Sequence, residues 1–134
     1  MSPAAKGDNI MVINCTPHDV AIYRTCDCYM RDGCLYRRED EIEFPQPFRT
    51  YPAAKEPARV TFVQKTAGMA DGILIYWWSP DEFVNFPKPK PNTFYIVSKI
   101  LAQACPERED FILPGNLVRN ESGDVVGCID FSRV

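Results

Sequence analysis

The chain has 134 residues and a mass of 15.3 kDa, enough to bury one core and too little for two ordinary domains. Hydrophobic residues make up 46% of it, which excludes a disordered polar chain. A net charge of −3 and a pI near 5.1 supply no global positive field for duplex nucleic acid or an anionic membrane.

In chain order, Met1 to Asn9 forms a loose leader of small and polar residues, and residues 10–134 form the single globular domain. Two short strands, Ile10–Asn14 and Asp19–Tyr23, are expected around the turn Cys15-Thr16-Pro17-His18. Pro17 cannot donate to a sheet ladder and biases Thr16 toward extended geometry, so the chain bends there. Residues 24–41 are charged and carry Cys26, Cys28 and Cys34, with Asp32-Gly33 as a hairpin tip. Glu41 to Pro57 holds four prolines together with Phe44, Phe48 and Tyr51, a pattern for an extended, semi-rigid surface loop.

Strand signals return at Ala58–Gln64, where alternation places Val60 and Phe62 on one face. Ala70-Asp71-Gly72 is a turn, Ile73–Trp78 a β-rich run, and Phe83–Phe86 a short edge strand. The alternating prolines of Pro87–Pro91 require an extended linker. Phe94–Val97 is then a strand, and Ser98 is suited to cap a helix over Lys99–Cys105 that Pro106 ends. Phe111–Leu113 precedes a Pro114-Gly115-Asn116 turn, and Leu117–Arg119 pairs with Asp124–Ile129 in a hairpin closed at Asn120–Gly123. The fold class this predicts is α+β and β-dominated: a mostly antiparallel sheet or partly open barrel with one short α-helix.

Six cysteines are many for this length. No basic-then-apolar signal opens the chain, and its longest apolar run, Ile73–Trp78, is too short to span a bilayer, so a cytoplasmic protein with free thiols is expected. Cys26, Cys28 and Cys34 with His18 are zinc-type donors, but a Cys-x-Cys plus one further cysteine lacks the two separated pairs of a structural site. Free thiols in a surface hairpin are the expectation, and Cys15, Cys105 and Cys128 are expected as small core residues.

Among polar candidates, Asn14, Thr16 and His18 share one turn. A His18–Asp19 acid–base pair is weakened because neighbours on an extended segment point in opposite directions. Cys15 beside His18 lacks a group to activate its thiol. Ser98 with Thr93 and Lys99 at a helix start could meet an anion, although an ordinary N-cap explains Ser98 as well. Tyr76 and Trp78 offer faces for stacking a base, and Arg59 and Arg119 could grip phosphate or remain solvated strand charges. These residue types suit binding of a small anionic, nucleotide-like ligand better than its turnover: no catalytic residues, no cofactor and no enzyme activity are expected.

Asn14-x-Thr16-Pro17-His18-Asp19-Val20, Ala58-Arg59-Val60 and Asp71-Gly72-Ile73 resemble small proteins encoded by bacteriophages, prophages and some bacteria. The second half, from Thr93–Ser98 through Pro106–Asp110 and Pro114-Gly115 to Leu117–Cys128, resembles them more closely still. Against that pattern residues 24–57 are an insertion. The resemblance implies a viral setting in a bacterial cytoplasm rather than a chemistry. Taken with the candidate residues, it predicts a sponge that sequesters a nucleotide immune signal. An interaction protein that blocks a host defence factor through the insertion is the alternative, followed by a minor virion or assembly component. Exposed strand edges would let the domain form a homo-oligomer.

Overall fold

A computed structural model describes residues 9–39 and 44–134. The expected leader, apart from Asn9, and the start of the proline loop therefore lie outside the described residues.

The chain opens with strands β1 (Met11–Asn14) and β2 (Val20–Ile22), then a 3-10 turn at Thr25–Asp27. Residues 24–57 supply β3 (Cys28–Arg31), β4 (Cys34–Arg37) and β5 (Arg49–Tyr51). Two long strands follow, β6 (Arg59–Ala70) and β7 (Ile73–Val84), then β8 (Thr93–Ile96), helix α1 (Lys99–Ala104) and β9 (Phe111–Pro114). Strands β10 (Leu117–Arg119), β11 (Val125–Cys128) and β12 (Phe131–Ser132) complete the chain. The protein is strand-dominated with a single α-helix among the described residues, and that helix is too short to cross a membrane.

Three sheets result: a four-stranded one in the order β1-β8-β9-β12, a six-stranded one in the order β3-β4-β10-β11-β2-β5, and the β6-β7 ribbon. The expected mostly antiparallel arrangement is matched in part, because the sheets are mixed: five strand pairs are antiparallel. β1 with β8, β8 with β9, β4 with β10 and β2 with β11 pair in parallel, and no barrel closes among the described residues. Helix α1 is the crossover that a parallel β8-β9 pair needs. The other parallel pairs join segments distant in sequence, so no turn signal announces them.

Alternation along β8 builds two cores. Tyr95 and Val97 pack with Leu101, Ala102, Phe111 and Leu113 under the helix. Ile96, fully buried, faces the other way, beside Ile112 of its own sheet, onto Val20, Ile22 and Cys128 of the second sheet. Being covered on both faces, β8 reads as a continuous apolar run. A third, smaller cluster of Tyr23, Cys28 and Val118 forms beside the inserted hairpin, so Cys28 is a core thiol rather than a surface one. At Gly127 a Cβ would collide with the Ala21 carbonyl and lie 2.9 Å from the Tyr23 ring, so the close approach of β11 to β2 requires glycine there.

Several boundaries differ from expectation. The proline loop contains β5, which pairs with β2, and β12 closes the four-stranded sheet. The strands expected at 58–64 and 73–78 each run to 12 residues, and Phe83 is the penultimate residue of β7 instead of starting an edge strand. Phe86 lies beyond that end and packs against Phe83 at 4.9 Å and Phe111 at 5.7 Å. A two-stranded ribbon tolerates Pro80 because each strand keeps one edge open. Ala67 is the extra residue of a bulge beside Gly68, whose φ of +139° suits glycine.

Candidate functional site

The Thr-Pro-His turn is held by one buried amide. Asn14 Nδ2 donates to the carbonyls of His18 (2.7 Å) and Tyr51 (3.1 Å), and its Oδ1 accepts from the Thr16 N–H (2.9 Å) and hydroxyl (2.7 Å). All four of its ordinary hydrogen-bonding positions are thereby used. Asp19 Oδ1 accepts the Ala53 N–H at 2.8 Å, which ties the turn to the segment after β5 and commits that oxygen away from His18. The carboxylate is thus oriented by backbone, not by the imidazole. Cys15 is half-buried, and burial pushes its thiol pKa up, away from the reactive thiolate.

Across from the turn stands the start of α1. Ser98 Oγ accepts the Leu101 N–H at 3.2 Å, the N-cap role anticipated from sequence. At six residues α1 is too short to make its N-terminus an anion site by itself. What the arrangement does create is a hollow of about 510 Å3. Its walls are apolar (Pro17, Val20, Val97, Leu113, Pro114, Leu117) and its polar groups are Thr16, His18, Asp19, Ser98 and Lys99. A second hollow of about 390 Å3 opens on the other side of His18, Asp19 and Val20, running along Val125 to Cys128.

Of the ten residues proposed from sequence, Thr16, His18, Ser98 and Lys99 share the first hollow, and Asn14 supports it from beneath. Arg119 lines a different hollow of about 440 Å3 that meets the first at Leu117, and its Nη1 donates to the Gly123 carbonyl at 2.9 Å. Thr93 is buried and donates to the Pro91 carbonyl at 3.0 Å, a structural role. Arg59 sits opposite Val84 at the base of the β6-β7 ribbon, and Tyr76 and Trp78 meet edge to face at 5.6 Å farther along it. These three do not line the hollow. Sequence reasoning missed its far wall, Leu113, Pro114 and Leu117. The Pro114-Gly115-Asn116 turn was visible, but nothing in it names His18 as a neighbour.

No group of three or more His, Cys, Asp or Glu side chains among the described residues is placed to hold a metal ion, so Cys26, Cys28, Cys34 and His18 form no zinc site. Burial also raises the thiol pKa values of Cys28, Cys105 and Cys128. An unfolded chain releases these protons above about pH 8.5 while the folded chain retains them. The stabilisation from neutral thiols is therefore complete below that pH and is lost as pH rises through the folded values. Urea midpoints should fall above about pH 8.5, and a thiol reagent should label exposed Cys26 and Cys34 well before the buried cysteines. Uniform labelling of all six would contradict this burial.

No family model matches the chain, and neither a curated protein nor a solved structure matches it.

Proposed function

We propose that this protein is a non-enzymatic binder that captures a small anionic, nucleotide-like ligand in the hollow between the Thr-Pro-His turn and the start of α1. The observation that carries this reading is the convergence of Thr16, His18, Ser98 and Lys99 on one apolar-walled cavity of about 510 Å3. An apolar wall with a few convergent polar groups is the usual composition of a small-molecule site. The hollow holds one cation and one carboxylate, which favours a ligand with a single acidic group and a flat apolar body. A second phosphate would have to reach past Leu117 to Arg119. In the phage setting that the sequence resemblance implies, such capture would sequester a nucleotide immune signal.

Titration calorimetry against cyclic mononucleotides, which carry a single phosphate, and against cyclic dinucleotides and cyclic ADP-ribose isomers tests the reading. At least one ligand should bind and be recovered unaltered after the protein is denatured. His18→Ala and Lys99→Ala should each weaken binding about tenfold, whereas Arg59→Ala should leave it unchanged. No heat across the panel, or equal loss in the Arg59 variant, overturns the proposal.

A second reading, docking of a host protein through the insertion, draws on Phe44 and Phe48, which remain 53% and 52% exposed. Arginines cover their faces, Arg37 at 4.7 Å from the Phe44 ring and Arg24 at 4.7 Å from the Phe48 ring. Replacing both phenylalanines should abolish capture of that partner while leaving nucleotide binding intact.

A further inference from the structure

The β6-β7 ribbon is exposed along most of its length. Its main contact with the rest is between β6 and α1 at its base. Met69, Ile73, Leu74, Ile75, Tyr76, Trp77 and Trp78 are all between 45% and 68% exposed. Pairing register sorts them into two faces. Opposed residues share a face, so Met69 with Leu74, Thr66 with Tyr76, Gln64 with Trp78 and Phe62 with Pro80 form one stripe from tip to base. Ile73, Ile75 and Trp77 lie on the other, opposite Ala70, Gly68 and Lys65, with the Lys65 ammonium 5.8 Å from the Trp77 indole.

The first stripe ends in an apolar hollow of about 390 Å3 formed by Phe62, Trp78 and Pro80 with Ile100, Gln103 and Ala104 of α1. The chain thus carries an apolar knob at the ribbon's tip and an apolar hollow at its base, on the same side. We propose that a second copy of this chain covers the stripe. Two ribbons pack face to face and antiparallel about a two-fold axis, with Met69 and Leu74 of each seated in the hollow of the other.

The geometry closes on itself. A two-fold axis through the middle of the stripe places the tip of one arm over the base of its partner, so every contact occurs twice. From Phe62 to Ala70 the arm extends about 27 Å at about 3.3 Å per residue, and each copy spans the same length. Phe62, Met69, Leu74, Tyr76, Trp78 and Ile100 average roughly half exposure. At about 200 Å2 per large side chain, this offers about 600 Å2 per copy and about 1,200 Å2 for the pair, the lower edge of a specific stable interface. The stripe carries no charged side chain between Phe62 and Met69, so like meets like without repulsion.

Light scattering on a sizing column should give a dimer for the wild-type chain. Leu74→Lys and Trp78→Lys should raise its dissociation constant about thirtyfold or more, whereas Trp77→Lys, on the opposite face, should not. Circular dichroism would check that each variant is folded. A photo-crosslinking amino acid at position 69 supplies an independent arm: its adducts should map to residues 100–104 of a second copy. A monomeric wild-type chain overturns the proposal, as does a dimer indifferent to Leu74→Lys and Trp78→Lys, or crosslinks confined to other surfaces. A monomer that binds phosphatidylcholine vesicles or another protein through the stripe would overturn it in favour of that occupant.

Discussion

Replacing Asp110 by alanine should destabilise the protein by about 3–5 kcal/mol, the usual effect of leaving a buried charge without its partner. Asp110 accepts from Arg108 through two parallel bonds, Nε to Oδ1 and Nη2 to Oδ2, each 2.8 Å. Their side chains are only 5% and 12% exposed, respectively. The same guanidinium donates to the Pro87 carbonyl at 2.9 Å and lies 4.1 Å from the centroid of Phe111 and 5.1 Å from that of Phe86. It therefore clamps the proline linker to the buried start of β9. Without the carboxylate, a cation remains against two aromatic rings with few other acceptors nearby. Thermal denaturation should show the loss as a fall of about 10–20 °C in Tm. Replacing both partners with apolar residues, Arg108→Met with Asp110→Leu, should recover much of the deficit, because the penalty lies in the unpaired charge rather than in the absent bridge. A double variant no better than Asp110→Ala would show that packing, not charge, dominates.

How much of this was legible in the sequence depends on the range of each interaction. Local signals were read well. The Ser98 cap, the Asp32-Gly33 and Asp71-Gly72 turns and the hairpin closing at Gly123 each rest on residues within four positions of one another. Their geometry is set by φ preferences and nearby hydrogen bonds. The parallel pairings were invisible, because β4 docks on β10 and β2 on β11 across most of the chain, and short alternating strands carry no address. The long ribbon was truncated for a different reason. Past Gln64 its outward residues no longer follow a buried face, so hydrophobic alternation, the signal used to find strands, is absent where nothing within the chain covers them. The candidate site was half legible. His18 and Thr16 came from one turn and Ser98 and Lys99 from one cap, but only the β1-β8 register, which sets Asn14 opposite Ile96, brings the two together. Arg59, Tyr76 and Trp78 had the right chemistry for a ligand and the wrong position.

That register makes Asn14 the residue on which the hollow depends, and Asn14→Asp isolates its contribution. The replacement is nearly isosteric and keeps the oxygen that accepts from Thr16. It exchanges the two donors facing the His18 and Tyr51 carbonyls, at 2.7 and 3.1 Å, for an oxygen that repels both. Two partly buried carbonyls lose a donor and a carboxylate is confined beside them, so about 2–4 kcal/mol of stability should be lost at neutral pH. The introduced carboxyl would have a folded pKa raised above its unfolded value near 3.9, so its protonated form is the one folding favours. The deficit relative to wild type should accordingly be largest at neutral pH and shrink as pH falls toward about 4, where an acid O–H can donate to one of the carbonyls. Urea denaturation of both proteins at the two pH values measures this difference directly. A deficit that does not change with pH would mean that the replaced amide donors do not hold those carbonyls, and the Thr-Pro-His turn would then owe its shape to Pro17 and the Asp19–Ala53 bond instead. If the pH dependence is found, loss of binding of the proposed ligand in the same variant at neutral pH would identify Asn14 as a positioning residue, one that does not line the hollow yet fixes where Thr16 and His18 present their polar atoms.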